Sequence, residues 1–342
     1  MLMAETRVLI TGGAGFIAHH LVLEILRRTD WHITTLDRLD YSGNLNRLQD
    51  ALSDLPPAVT RRVKIVFHDL KAALNPQIIQ EIGRVDYVFH LAAGSHVDRS
   101  IAYPMSFVLD NVVGTCNILD FARSQDNLRR FFYFSTDEVF GPAPADVCYK
   151  ENDRYNSTNP YSATKAGGEE LAVAYHNTYK VPVVITHTMN VFGQRQHPEK
   201  FIPQSIRKIQ QGETVTIHSD KTCTIPGSRF YIHAQDVADA LLFLVDSNWS
   251  EKTDNEQTLC PKFNIVGAKE LNNLELAQII AQVQNKPLRY ELVDFHSSRP
   301  GHDLRYALCG EKMKQLGWTP KVDLLSRLEQ VVHWTLLNPR WC

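Results

Sequence analysis

The chain lacks the sequence features of membrane, secreted and nucleic-acid-binding proteins. Its 342 residues contain no apolar run near the roughly 18 residues that a membrane helix needs. Residues 1–6 are too short and too polar for the apolar part of a signal peptide. The 36 basic and 38 acidic residues nearly balance, and no basic run is long enough to follow a phosphate backbone. We therefore expect a cytoplasmic protein that binds neither membrane nor nucleic acid.

Closely spaced cysteines, repeats and linkers are also missing. The six cysteines are scattered along the chain, so the sequence indicates neither a metal site nor a disulfide framework. No internal repeat and no polar linker divides the chain. A length of 342 residues is ordinary for a nucleotide-binding domain that carries a substrate-binding extension.

Strands and helices alternate through the first half of the sequence. An apolar run at 7–11, a glycine turn, a helical stretch at 15–28 and a second run at 31–36 predict a β-α-β unit. Further short apolar runs, separated by helical segments, follow at 63–67, 87–91, 131–135 and 183–186. This alternation predicts an α/β fold with a Rossmann-like, doubly wound parallel sheet. We expect a cofactor domain at 1–186, interleaved with a smaller mixed α/β substrate region at 187–342, where prolines and glycines shorten the elements.

The glycine turn, TGGAGFIA at 11–18, has the features of a dinucleotide site. Gly12 and Gly15 would let the backbone approach a pyrophosphate at the positive end of the following helix. Asp37 ends the second strand at about the 20-residue separation expected of a carboxylate that holds a ribose 2′-hydroxyl. Because it would repel a 2′-phosphate, we expect NAD rather than NADP. The segment 68–70 follows the third strand and is placed to flank the adenine.

A tyrosine and a lysine lie near two adjacent carboxylates. Tyr161 and Lys165, four residues apart, share one helix face, so the ammonium is expected to lower the phenol pKa from about 10 toward neutrality. Tyr161 could then take a proton from a substrate hydroxyl while hydride leaves the same carbon for a nicotinamide. The run Thr136, Asp137 and Glu138 follows a strand that ends near the tyrosine helix. The predicted cofactor contacts are Gly12, Gly15, Phe16, Ile17, Asp37, Asp69, Leu70, Ala92, Tyr161 and Lys165.

The chain resembles the extended short-chain dehydrogenase/reductases nearly end to end, and most closely the nucleotide-sugar 4,6-dehydratases of the dTDP-glucose type. The resemblance is carried by TGGAGFIAHHLV (11–22), LDRLDYSGNLNRL (36–48), LAAGSHVDRS (91–100), STDEVFG (135–141), NPYSATKAGGEEL (159–171), HPEKFIP (197–203), 229–236, FNI (263–265) and RPGHDLRYAL (299–308). The Thr-Asp-Glu triplet and the Arg-Pro-Gly-His-Asp segment are typical of that subgroup.

The resemblance implies a mechanism and a substrate. Tyr161 and NAD would oxidise carbon 4 of a nucleotide-linked hexose, Glu138 would take the proton on carbon 5, and Asp137 would protonate the hydroxyl leaving carbon 6. Thr136 would bind the oxygen on carbon 4, and Lys165 the nicotinamide ribose. The family also implies a homodimer formed through helices at 102–122 and 163–179. Contacts to the sugar and diphosphate would come from His96, Asn190, Glu199, Lys200, Arg229, Asn264, Arg299 and His302.

Departures from the family pattern leave alternatives open. Gly94 stands where a glutamate is usual, the run 191–195 differs, and the segment 218–227, where the family holds the nucleotide base, is longer than its counterpart. The nucleotide could therefore be dTDP or UDP, and the sugar could be N-acetylated. Two other enzymes of the same superfamily are alternatives. A 4-epimerase would leave Asp137 and Glu138 unexplained, and a decarboxylase has no use for an acid at Asp137. A non-catalytic NAD-binding regulator is the alternative outside enzymes.

Overall fold

The computed structural model describes residues 5–40, 42–247, 249, 259–294 and 304–342. The strands are β1 (Arg7–Thr11), β2 (His32–Asp37), β3 (Val63–Phe67), β4 (Tyr87–His90), β5 (Arg130–Thr136), β6 (Val183–Thr188), β7 (Val191–Phe192), β8 (Val215–Ser219), β9 (Ser228–Phe230), β10 (Ile232–His233), β11 (Lys262–Ile265), β12 (Glu270–Asn272) and β13 (Tyr290–Asp294). The helices are α1 (Phe16–Arg28), α2 (Leu45–Leu52), α3 (Pro57–Thr60), α4 (Pro76–Ile82), α5 (Val97–Ala102), α6 (Pro104–Val108), α7 (Gly114–Arg123), α8 (Pro160–Tyr179), α9 (Phe201–Gln211), α10 (Ala234–Asp246), α11 (Asn273–Val283), α12 (Glu311–Gln315) and α13 (Leu324–Leu337).

Within the described residues, seven strands form one sheet in the order β11-β6-β5-β4-β1-β2-β3, and every pairing in it is parallel. The predicted doubly wound sheet is confirmed, with strand ends within two residues of the expected ones. The order reverses between β1 and β4, so the carboxyl ends of these two strands open a crevice where ligands bind in such folds.

Helices cover both faces of the sheet because its strands are apolar on both sides. On one face, Val8 and Phe132 pack with Leu21 of α1 and Leu241 of α10. On the other face, the neighbouring strand residues Leu9 and Phe131 pack against α7 and α8. Helix crossovers therefore bury alternate residues of each central strand, as parallel sheets require.

The second half of the chain returns to the large sheet. Strand β11 pairs with β6, and α10 packs on α1. A separate core forms between α9, α11 and α13 and the parallel pair β8 and β13. No helix of the described residues is both long and apolar enough to cross a lipid bilayer.

Candidate active site

A cleft of about 780 Å³ begins at the crevice between β1 and β4 and extends to the C-terminal region. Most of the predicted site residues line it. They are Gly12, Gly15, Phe16, Ile17, Asp37, Asp69, Leu70, Ala92, Thr136, Asp137, Glu138, Tyr161, Lys165, Asn190, Glu199, Lys200 and Arg229. His96 and Asn264 do not line it, and Arg299 and His302 lie outside the described residues.

The glycine turn is shaped for close approach of a ligand. Gly12 has a φ of +70°, and a Cβ there would lie 2.9 Å from the backbone of Ala92. A Cβ at Gly15 would lie 2.8 Å from the Gly12 carbonyl oxygen. Gly15 precedes α1 without a side-chain cap, so the backbone N–H groups of the first turn can bind an anion. The turn therefore fits the pyrophosphate of a dinucleotide.

Asp37 presents a fixed carboxylate beside that turn. Its Oδ2 accepts from Ala14 N at 3.0 Å, and its Oδ1 accepts from Leu39 N at 2.8 Å. Gly43 leaves space for the Asp37 carboxylate, since a Cβ at position 43 would lie 2.5 Å from Asp37 Oδ1. Burial raises the pKa of Asp37, although the two backbone hydrogen bonds oppose the shift. A carboxylate held this way suits a ribose hydroxyl.

The neighbouring Arg38 is held by carboxylates. It forms a bidentate pair with Asp110, whose Oδ2 lies 3.0 Å from Nη2, and it also donates to Asp40 at 2.6 and 2.9 Å. Burial alone would raise the pKa of Asp40, but hydrogen bonds from Ser42 and Arg38 lower it to about 2. Asp69 lies 3.6 Å from the same guanidinium, so Arg38 has three anionic partners, which favours a free ribose hydroxyl over a 2′-phosphate at this site.

The two adjacent carboxylates at the end of β5 have different surroundings. Asp137 is buried; its Oδ1 accepts from Thr136 Oγ1 at 3.0 Å, and its Oδ2 has no hydrogen-bond partner among the described residues. Burial raises the pKa of Asp137 to about 6, against opposing effects of Thr136 and Arg229. Glu138 is half-buried and its Oε2 accepts from Asn159 Nδ2 at 3.2 Å. Unequal environments of this kind separate an acid from a base.

The tyrosine and lysine lie in the first two turns of α8. Helix α8 begins at Pro160, after an Asn159 cap that forms a capping box with Ser162. Lys165 Nζ donates to Phe134 O at 2.6 Å, and burial lowers the pKa of Lys165 to about 7. Burial, followed by the nearby charge of Glu138, raises the pKa of Tyr161. The prediction that Lys165 brings this pKa toward neutrality is therefore wrong for the protein alone, because the ammonium is desolvated and bound to a carbonyl.

Two predicted substrate contacts are placed elsewhere. Asn264 is fully buried; its Nδ2 donates to Tyr149 O and Cys309 O, and its Oδ1 faces His187 Nδ1 at 3.0 Å. The prediction for Asn264 is therefore wrong, since its amide already bonds within the protein core. His96 caps α5 through Nδ1. It does not line the cleft, but its Nε2 lies 3.6 Å from Glu199, which does.

Several basic side chains line the cleft. Lys200, Lys208 and Arg229 are among them. Arg229 stacks on the Tyr306 ring at 4.7 Å, and it donates to Ser228 O at 2.6 Å. Cationic side chains at this place suit a diphosphate, whose oxygens accept charge-assisted hydrogen bonds.

Several positioning contacts join residues that are distant in sequence, and the sequence alone did not reveal them. Asn111, in a π-helical turn at Leu109–Val113, bonds both backbone groups of Gly94 and donates to Thr164 Oγ1 of α8. Ser100 Oγ accepts from Tyr161 N at 3.0 Å.

The π-helical turn at Leu109–Val113 interrupts the helix predicted at 102–122. Such turns often occur at functional sites, but no local pattern marked this one.

Comparisons with known proteins agree with this geometry. The model of the family described as GDP-mannose 4,6 dehydratase matches residues 9–331. The chain is 34% identical over 339 residues to a trifunctional UDP-glucose 4,6-dehydratase/UDP-4-keto-6-deoxy-D-glucose 3,5-epimerase/UDP-4-keto-L-rhamnose-reductase of Arabidopsis thaliana, covering 98% of this chain and 47% of that protein. It is also 34% identical to a dTDP-glucose 4,6-dehydratase of Salmonella typhimurium, covering 98% and 94%. The chain thus spans about half the length of the Arabidopsis relative.

Solved structures share the whole fold. The dTDP-glucose 4,6-dehydratase DesIV from Streptomyces venezuelae, crystallised with NAD, superposes with a TM-score of 0.83 at 32% identity over 98% of both chains. A UDP-glucuronic acid 4-epimerase from Bacillus cereus reaches a TM-score of 0.83 at 22% identity, over 97% of this chain and 100% of the epimerase. The second likeness shows the fold alone.

Proposed function

Since the chain belongs to the family described as GDP-mannose 4,6 dehydratase, we propose that it is an NAD-dependent hydro-lyase of the extended short-chain dehydrogenase/reductases and that its substrate is a nucleoside-diphosphate glucose. The reaction removes water across carbons 5 and 6 and leaves a 4-keto-6-deoxy sugar. The observation that supports this most is the pair Asp137 and Glu138, in different environments, in one cleft with Tyr161.

The residues of the cleft fit NAD along its length. Gly12 and Gly15 would hold its pyrophosphate and Asp37 its adenosine ribose, while Asp69 and Leu70 lie where the adenine would reach. NAD, when bound, accepts hydride from carbon 4 and returns it to carbon 6, so no net oxidation occurs. We assign Lys165 to the nicotinamide ribose.

Proton transfers fall to three side chains of the chain itself, and Thr136 helps to bind the substrate. Thr136 and Tyr161 bind the hydroxyl on carbon 4, and Tyr161 removes its proton. The resulting ketone acidifies the proton on carbon 5, which Glu138 takes. Asp137, whose unpartnered Oδ2 is buried, gives a proton to the oxygen leaving carbon 6. Glu138 then returns its proton to carbon 5 and is restored. Tyr161 ends with the proton from the hydroxyl and Asp137 lacks the proton given to water, so one proton passes from Tyr161 to Asp137 through solvent before the next turnover.

We also propose that the nucleotide of the substrate is a pyrimidine nucleotide. The Salmonella relative is named for dTDP-glucose and the Arabidopsis relative for UDP-glucose, so we propose one of these two as substrate.

We also propose that two copies pair through α7 and α8 and the neighbouring segment, in which Tyr103 and Met105 are 70% and 66% exposed. Sedimentation equilibrium of the wild-type protein measures this directly, and a monomeric mass would refute the pairing.

Incubation of the purified protein with dTDP-glucose, UDP-glucose and UDP-N-acetylglucosamine, each without added cofactor, tests the function. Mass spectrometry should show the loss of one water from one of the first two substrates. Loss from the N-acetylated sugar alone would change the sugar assignment and keep the reaction class. An unchanged mass after NAD is added would instead favour an epimerase, whose product has the mass of its substrate, or a silent NAD-binding protein.

A further inference from the structure

Asn159 connects the tyrosine helix to one of the two carboxylates. It is buried, with 6% of its surface exposed, and it does not line the cleft. Its Oδ1 accepts from Ser162 N at 2.9 Å and caps α8. Because a backbone N–H fixes the oxygen side of the amide, the nitrogen side must face Glu138, where Nδ2 lies 3.2 Å from Oε2.

We propose that Asn159 is a positioning residue for Glu138, an inference that rests on the proposed function. One amide ties the carboxylate to the start of α8, two residues before Tyr161. The group that takes the carbon 5 proton is thereby held relative to the group that takes the hydroxyl proton. A hydrogen bond donated to a carboxylate also favours its ionised form, which is the form that a base needs.

Helix capping by itself does not account for asparagine at this position. Serine and aspartate cap helices about as well as asparagine, but aspartate has no donor, and serine has one short hydroxyl in place of the two amide atoms that contact Ser162 N and Glu138 Oε2. Asn75 makes the same Asn-Pro cap at α4, where its Oδ1 accepts from Ile78 N at 3.0 Å, far in sequence from the carboxylates. Asn75 is exposed, and it provides a matched control for loss of a cap asparagine.

The test compares N159S and N159D with N75S and the wild type on the nucleotide sugar that the wild type dehydrates. Two steps are followed separately: the transient absorbance of reduced nicotinamide, which reports oxidation at carbon 4, and the release of water seen by mass spectrometry. A hydrogen bond to a charged group contributes enough that its loss should slow water release by about 10- to 100-fold in both Asn159 variants. Oxidation should stay within about 3-fold of wild type, so that reduced cofactor accumulates.

The pH dependence of water release distinguishes a positioning role of Asn159 from a purely structural one. Without the donor, the acidic limb of water release should shift to higher pH in N159S, while N75S keeps the wild-type profile. Equal slowing of both steps in N159S and N159D, or wild-type water release in N159S, would overturn the positioning role. A wild-type protein that oxidises the sugar without releasing water would overturn the proposed function as well, which separates the two failures.

Discussion

Glu169 is the most consequential buried charge outside the cleft. Its carboxylate is fully buried in α8, one turn after Lys165. Its two oxygens lie 3.2 and 3.1 Å from His187 Nε2. Oε1 also accepts from Lys262 Nζ at 3.0 Å and from the Tyr155 hydroxyl. This contact set joins the catalytic helix to β6 and β11.

The hydrogen bonds around His187 fix the orientation of its ring. Asn264 gives both amide hydrogens to carbonyl oxygens, so its Oδ1 is the atom that faces His187 Nδ1. Nε2 faces the Glu169 carboxylate, and the same carboxylate forms an ion pair with the Lys262 ammonium. Burial by itself would raise the pKa of Glu169, but His187 and Lys262 outweigh it and hold the pKa below its ordinary value.

Glu169→Gln removes the negative charge and keeps the size of the side chain. Breaking a buried ion pair on one side costs about 3 to 5 kcal/mol, because the remaining charge is left uncompensated. In the variant the Lys262 ammonium loses its carboxylate partner, so we expect a loss of about 3 kcal/mol. Typical domains have only about 5 to 15 kcal/mol of stability in total, so the variant should unfold readily.

Urea unfolding followed by circular dichroism measures this loss. Glu170→Gln is the control, because Glu170 is the exposed neighbour on the same helix and its substitution should change the free energy of unfolding by less than about 0.5 kcal/mol. A Glu169→Gln protein within about 1 kcal/mol of wild type would refute a stabilising role of this buried carboxylate.

Three further substitutions test the assigned roles. Glu138→Gln should still oxidise carbon 4 and accumulate reduced cofactor, visible by its absorbance; full dehydration would contradict its role as the base. Tyr161→Phe should slow cofactor reduction in a single turnover by at least about 100-fold, and an unchanged rate would remove the tyrosine from the mechanism. Burial raises the pKa of Asp137 to about 6. Between about pH 4 and about pH 6 the folded protein therefore binds more protons than the unfolded chain. The stability that this group contributes falls as the pH rises through that window. The Asp137→Asn protein has no ionisable group at this position, so its urea midpoint should not fall over this pH range as the wild-type midpoint does. If the midpoints of the two proteins change in parallel with pH, a group other than Asp137 titrates.

The sequence by itself determined the large sheet and the local chemistry of the site. Its central strands are buried on both faces, so they read as short apolar runs whose ends are easily located. The glycine turn, Asp37 and the run from Thr136 to Glu138 were found because each is a short segment next to a strand. In a doubly wound sheet, the ends of neighbouring strands meet at one edge, so local motifs predict a common cleft.

Only the tertiary structure decided which side chains bond to each other. Asn264 lies in a family motif but is bonded in the core, because its partners come from segments that are distant along the chain. The direction of the Lys165 ammonium depends on the Phe134 carbonyl, which sequence spacing does not show. The contact of Asn159 with Glu138 likewise needs the 3-10 turn after β5 and the start of α8 to be brought together by packing. Spacing along an element predicts which residues share a face, whereas hydrogen-bond partners depend on how separate elements pack.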